Sequence, residues 1–147
     1  MKLERVTAQP EFAPAPRMVA DVAHLARRDR AAFKTVLGIL DAWGMDSSES
    51  CTLLGISARS FFRWKAQVEG DEATGPLPRD VVERMSYLLG IWKALAILFP
   101  EPAHRLHWLR AENSSATFNG QAPMARMLAG NVGDLYVVRN HLDGWRG

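Results

Sequence analysis

The chain is short of cysteine. One thiol, Cys51, in 147 residues excludes an internal disulfide framework and a cysteine-rich zinc site, and it fits a reducing compartment. An excess of one charge is missing too. Eighteen Lys and Arg against sixteen Asp and Glu leave a formal net charge of +2, so any contact with nucleic acid has to come from local clustering of cations. Long apolar runs are absent. The most apolar stretch, MSYLLGIWKALAILF over residues 85–99, is too short to span a bilayer and carries Lys93. Residues 1–17, MKLERVTAQPEFAPAPR, hold prolines where a signal peptide would hold an apolar run. The expectation is a soluble, cytoplasmic protein with no membrane segment. Enzyme signatures are lacking as well: there is no phosphate-cradling glycine loop, no nucleophile elbow and no carboxylate pair at helical spacing. His104 and His107 stand three apart, but no nearby cysteine completes a metal set. No catalytic residue, metal or cofactor is expected.

What is present is a globular composition. Hydrophobic residues make up 48% and charged ones 23%, enough to fill the core of one ordinary domain or two small ones. No stretch alternates with the period of a strand, and the apolar spacing is helical throughout, which predicts an all-α fold. From Met18, the spacing of Val19, Val22, Leu25, Phe33, Val36, Leu37 and Leu40 predicts helix in two pieces, ending near WGM. EGDEATGPLP (69–78) mixes glycine, proline and acids without periodicity and reads as a linker. A long apolar helix follows from about Arg79 to Phe99, stopped by Pro100 and Pro102. PAHRLHWLRAEN suggests another, with Leu106 and Leu109 on one side. Pro123 opens a further helix ending at Gly130. The last, about Val132 to Asp143, carries Leu135, Val138 and Leu142 on one stripe.

Residues 46–67 read as two short helices with a tight turn between. Counted as a unit from Ser47 to Ala66, they place Cys51 fifth, where two crossing helices need a small residue, and Gly55 ninth, where the turn demands positive φ. Leu54, Ile56, Phe61 and Trp64 fill the apolar positions, and Ser57 caps the second helix. With Phe61, Trp64 and Val68 facing inward, the aromatics anchor that helix. Arg59, Ser60, Arg63 and Gln67 then lie on the opposite face. Between Arg59 and Lys65 there are three cations and no acid. That face suits a major groove, because a guanidinium bonds bidentately to guanine. The plain alternative is an amphipathic helix with solvated arginines. The DNA-contacting set expected from the pattern is Ser57, Arg59, Ser60, Arg63 and Gln67.

The segment WLRAENSSATFNGQAPMARMLAGNVGDLYVVRNHLDGWRG resembles the toxin-binding domain of the Xre/MbcA/ParS family of bacterial antitoxins. Trp108, Leu109, Asn113, Phe118, Gly120, Pro123, Leu128, Gly130, Val138, Leu142 and Gly147 carry the resemblance, and LLGISARSFFRWK is similar to that family's Xre-type helix-turn-helix. Together they cover about residues 30–147. The resemblance implies a toxin–antitoxin protein whose partner is a RES-domain toxin, an enzyme that consumes NAD, and which binds the operator of its own promoter. It also implies that the end of the domain meets the toxin. Gly144 is expected to close the last helix and leave Trp145, Arg146 and Gly147 as an extended tail that enters the toxin's cleft or covers its mouth. Tyr136, Arg139 and Asn140 are expected to form the surrounding contact. Residues 1–17 then form an arm, 18–68 the helix-turn-helix domain, 69–78 the linker, 79–99 a connecting helix and 100–147 the toxin-binding domain. Because the 79–99 helix is apolar on more than one side, a homodimer through it or its neighbours is expected. A stand-alone helix-turn-helix regulator with a dimerising or ligand-sensing C-terminal half is the alternative.

Overall fold

The computed structural model describes residues 16–147 apart from Ala73; most of the expected N-terminal arm lies outside the described residues. Among the described residues all regular structure is helical: α1 Pro16–Ala42, α2 Ser47–Leu54, α3 Ala58–Glu69, α4 Arg79–Leu98, α5 Pro102–Arg110, α6 Pro123–Met127 and α7 Val132–Arg146. The all-α expectation holds. The two-piece reading of the first segment does not, because α1 is one helix of 27 residues. Its polar stretch HLARRDR interrupts the apolar pattern but contains no proline or glycine, so the backbone has no reason to break.

Helix α4 is the organising element. It packs most extensively on α7 and also contacts α1, α2 and α5. Val81, Met85, Leu88, Ile91, Ala94 and Leu95 are buried by these neighbours, and Leu135, Val138 and Leu142 of α7 are fully buried as well. Each of these side chains other than Ala94 contributes about 1.5–3 kcal/mol of transfer free energy. An all-round apolar α4 is therefore satisfied inside its own chain. Only Ile97 among its large apolar residues is mostly exposed, so burial within the chain accounts for most of the apolar surface that pointed to a dimer. The buried residues form one continuous cluster from Phe33 to Leu142, with no break between the two halves of the sequence.

The 69–78 segment is held rather than loose. Asp29 is buried on α1 and accepts a 2.9 Å hydrogen bond from the Leu77 amide. Arg30 donates to the Val68 and Glu72 carbonyls and pairs with Asp71 at 2.8 Å.

A second staple comes from Arg84, which is 9% exposed. Its guanidinium pairs with Asp80 at 3.2 Å and donates to the Thr52 carbonyl at 3.5 Å and the Gly130 carbonyl at 3.1 Å. One side chain thus joins the last turn of α2, the start of α4 and the turn before α7. Gly55 makes room for it. Its φ is +66°, and a Cβ there would stand 2.6 Å from Arg84 Nε. Gly120, with φ +87°, has nothing within 4 Å of the same point. Alanine at either glycine costs about 1–2 kcal/mol for the left-handed backbone. Gly55→Ala is expected to lower stability further than Gly120→Ala by displacing Arg84. Equal losses in urea unfolding would contradict that close approach.

Candidate nucleic-acid and protein interfaces

The two short helices form as the residue pattern requires. Asp46 caps α2 by accepting from the Glu49 amide at 2.7 Å while Glu49 reaches back to the Asp46 amide at 3.1 Å, a reciprocal capping box. Gly55 ends the helix in the left-handed region. Ser57 Oγ then accepts from the Ser60 amide at 3.1 Å and starts α3. Phe61, Trp64 and Val68 are buried, with Trp64 edge-on to Phe33 of α1 at 6.0 Å. Cys51 sits half-buried beneath the crossing; burial pushes its thiol above the usual range, which leaves it a poor nucleophile.

The outward face differs from the expected one in two particulars. Arg59 and Arg63 are exposed, with Arg63 over the rim of the Trp64 ring at 5.9 Å. Ser60 and Gln67 are half-buried on the flank, and the Gln67 side-chain oxygen is enclosed without a hydrogen-bond partner. In their place the outward arc holds Phe62, 51% exposed, and Ala66. Not all the aromatics anchor the helix: Phe61 faces in and its neighbour Phe62 faces out, edge-on at 5.4 Å. Adjacent helical residues lie about 100° apart, so with Phe61, Trp64 and Val68 on the buried stripe Phe62 is turned away from it.

The C-terminal surface also departs from expectation. Helix α7 does not stop at Gly144 but runs through Arg146. Trp145 is therefore a helical residue, 55% exposed and edge-on to Phe99 at 5.7 Å. A glycine in the last turn weakens a helix without ending it when flanking side chains are packed. Because the backbone stays helical, Trp145 and Arg146 diverge by about 100° and cannot act as one flat tail.

Trp145 rims an aromatic groove. Trp108 stacks on His141 at 6.1 Å and meets Phe118 edge-on at 5.7 Å, while His141 Nδ1 lies 3.0 Å from Thr117 Oγ1. Arg146 lies on the other flank, paired with Asp143 at 3.6 Å, and lines a cleft of about 400 Å³ with Lys93 and Arg139. Arg139 is partly a packing residue: it bonds the Ser86 carbonyl at 3.4 Å, pairs with Asp143 at 3.6 Å and leans over Tyr87. Tyr136 is 52% exposed, edge-on to Tyr87, and Asn140 is exposed on the same face. The expected contact residues are thus brought to one end of the molecule but shared between two flanks. Trp108 and His141 are members of that surface which the pattern HRLH and a lone histidine did not reveal.

A small helix-turn-helix unit with an outward cationic arc, fused through one core to a compact helical domain with an exposed aromatic groove, defines a DNA-binding protein with a protein-recognition half. Residues 22–90 match the antitoxin Xre-like helix-turn-helix domain, and residues 94–147 match the antitoxin Xre/MbcA/ParS C-terminal toxin-binding domain. An uncharacterized protein, y4oB, of Sinorhizobium fredii (strain NBRC 101917 / NGR234) is 43% identical over 110 residues, covering 74% of this chain and 79% of that protein. The chain belongs to the Xre/MbcA/ParS antitoxin family and is the antitoxin of a toxin–antitoxin system. The two matched regions meet inside α4, which explains why no break in the core separates them. Among the described residues no helix is long and apolar enough to cross a membrane.

Proposed function

We propose that this antitoxin neutralises a RES-type, NAD-degrading toxin with its C-terminal domain, represses its own operon with α3, and acts in the cytoplasm as a homodimer. The observation that carries the toxin half is the exposed last turns of α7, in the domain matched to toxin binding, where Trp145 and Arg146 stand on two flanks with Tyr136 and Asn140 between. An enzyme that consumes NAD needs a cleft for an anionic dinucleotide. The last turn, with Trp145, Arg146 and Gly147, would cover the mouth of such a cleft and exclude the substrate without chemistry. The indole of Trp145 supplies rigid apolar area, the residue type enriched in interface hot spots. The DNA half rests on Arg59, Phe62 and Arg63, which share an outward arc without an acid among them.

Removal of residues 145–147 tests the first half. The shortened protein is expected to bind its toxin at least about thirty-fold more weakly, the loss of one hot spot of 2 kcal/mol or more. It should also fail to preserve NAD in cells that express the toxin. Full binding together with full protection would assign inhibition to the Tyr136 and Asn140 face instead.

A further inference from the structure

The first turns of α1 project beyond the core. From Ala20 to Arg28 every residue but Ala26 is exposed, including Val22 at 47% and Leu25 at 37%. A helical segment this short is marginal in water on propensity alone. Its apolar residues continue the stripe that is seated further along the same helix: Val22, Leu25, Asp29, Ala32 and Val36 recur at alternating steps of three and four. Beside that stripe an apolar groove of about 250 Å³ opens between α1 and α4, lined by Ala32, Val82, Met85 and Leu89 among others. Nothing in the chain's own described residues covers either feature.

We propose that a second copy of this chain covers them, with the two α1 helices packed antiparallel about Leu25. The proposal rests on the homodimer reading above and gives it a surface. Charge selects both the occupant and the direction. Asp21 and Arg28 are seven residues apart, so they occupy equivalent positions on one flank of the stripe, and both are exposed. In an antiparallel helix pair like flanks meet, and Asp21 of each copy then faces Arg28 of the other, twice by symmetry. In a parallel pair this flank would meet the opposite one, where Ala26 sits and no charge answers it. Arg28 pairs with Asp29 at 3.2 Å in the single chain but remains 57% exposed, within reach of a second carboxylate. The stripe supplies the apolar area and the flank supplies self-complementarity, which a two-fold interface requires of one patch.

Sedimentation velocity on the full chain at micromolar concentration is expected to show a dimer. Val22→Glu with Leu25→Glu should give a folded monomer whose circular dichroism falls by no more than the first turns of α1 account for, since both side chains are exposed in the single chain. Asp21→Arg alone and Arg28→Asp alone should each weaken association, roughly three- to thirty-fold, by setting like charges opposite one another. The double reversal, Asp21→Arg with Arg28→Asp, should restore it. A wild-type monomer overturns the homodimer reading and this surface together. A dimer that survives the Val22 and Leu25 changes overturns the surface alone. Failure of the double reversal to restore what the single ones lose overturns the antiparallel arrangement.

Discussion

Arg84→Ala is expected to lower stability by about 2–4 kcal/mol, because a buried guanidinium with charge-assisted hydrogen bonds leaves its acceptors unpaired when it is removed. In this chain the acceptors are the Thr52 and Gly130 carbonyls, and Asp80 loses its pair. For a chain of this length that corresponds to a fall in Tm of roughly 5–15 °C. Arg84→Lys should recover only part of the loss, since one ammonium cannot present the planar fork that reaches three partners on three segments. Asp80→Ala should cost much less: the Asp80 side chain is 55% exposed, and half-exposed ion pairs contribute little. Thermal unfolding of the three variants orders them. A Tm for Arg84→Ala within a degree of wild type would mean that the guanidinium does not hold α2, α4 and the turn before α7 together.

The Arg59→Ala, Arg63→Ala double variant is expected to lose about 2–6 kcal/mol of specific operator affinity, or roughly 30-fold to 10⁴-fold, at about 1–3 kcal/mol for each base-reading contact. Stability should barely change, because both side chains are exposed and Arg63 gives up only an exposed contact with the Trp64 ring. Phe62→Ala separates two kinds of contact. An outward phenylalanine offers an apolar surface to a thymine methyl and no charge to a phosphate. Its removal should therefore weaken specific binding while the dependence on salt stays the same, whereas any cation that grips phosphate changes that slope when lost. Titrations of operator and unrelated DNA at two salt concentrations distinguish these outcomes. Operator binding as tight as wild type for the double variant would show that α3 does not read the groove.

The sequence by itself determined α2, α3 and the turn between them, because those depend on short-range chemistry. Gly55 permits a left-handed residue, Ser57 accepts an orphan amide, and Phe61, Trp64 and Val68 repeat at helical spacing, so the local pattern and the observed elements agree. The family resemblance was legible for the same reason, since its residues lie in sequence order. Only the tertiary structure decided which surfaces were left over. Whether an all-round apolar α4 needs a second chain depends on how much of it α1 and α7 bury. That is a sum over partners distant in sequence, and no window of α4 contains it. Whether α7 ends at Gly144 or runs to Arg146 turned on packing at Phe99, 46 residues before Trp145. Whether Phe62 anchors or points outward followed from which side of α3 lies against α1. Burial is set by the whole fold, whereas capping and periodicity are set by neighbours along the chain. The exposed stripe on α1 became visible only once the core had shown which apolar residues the chain itself buries.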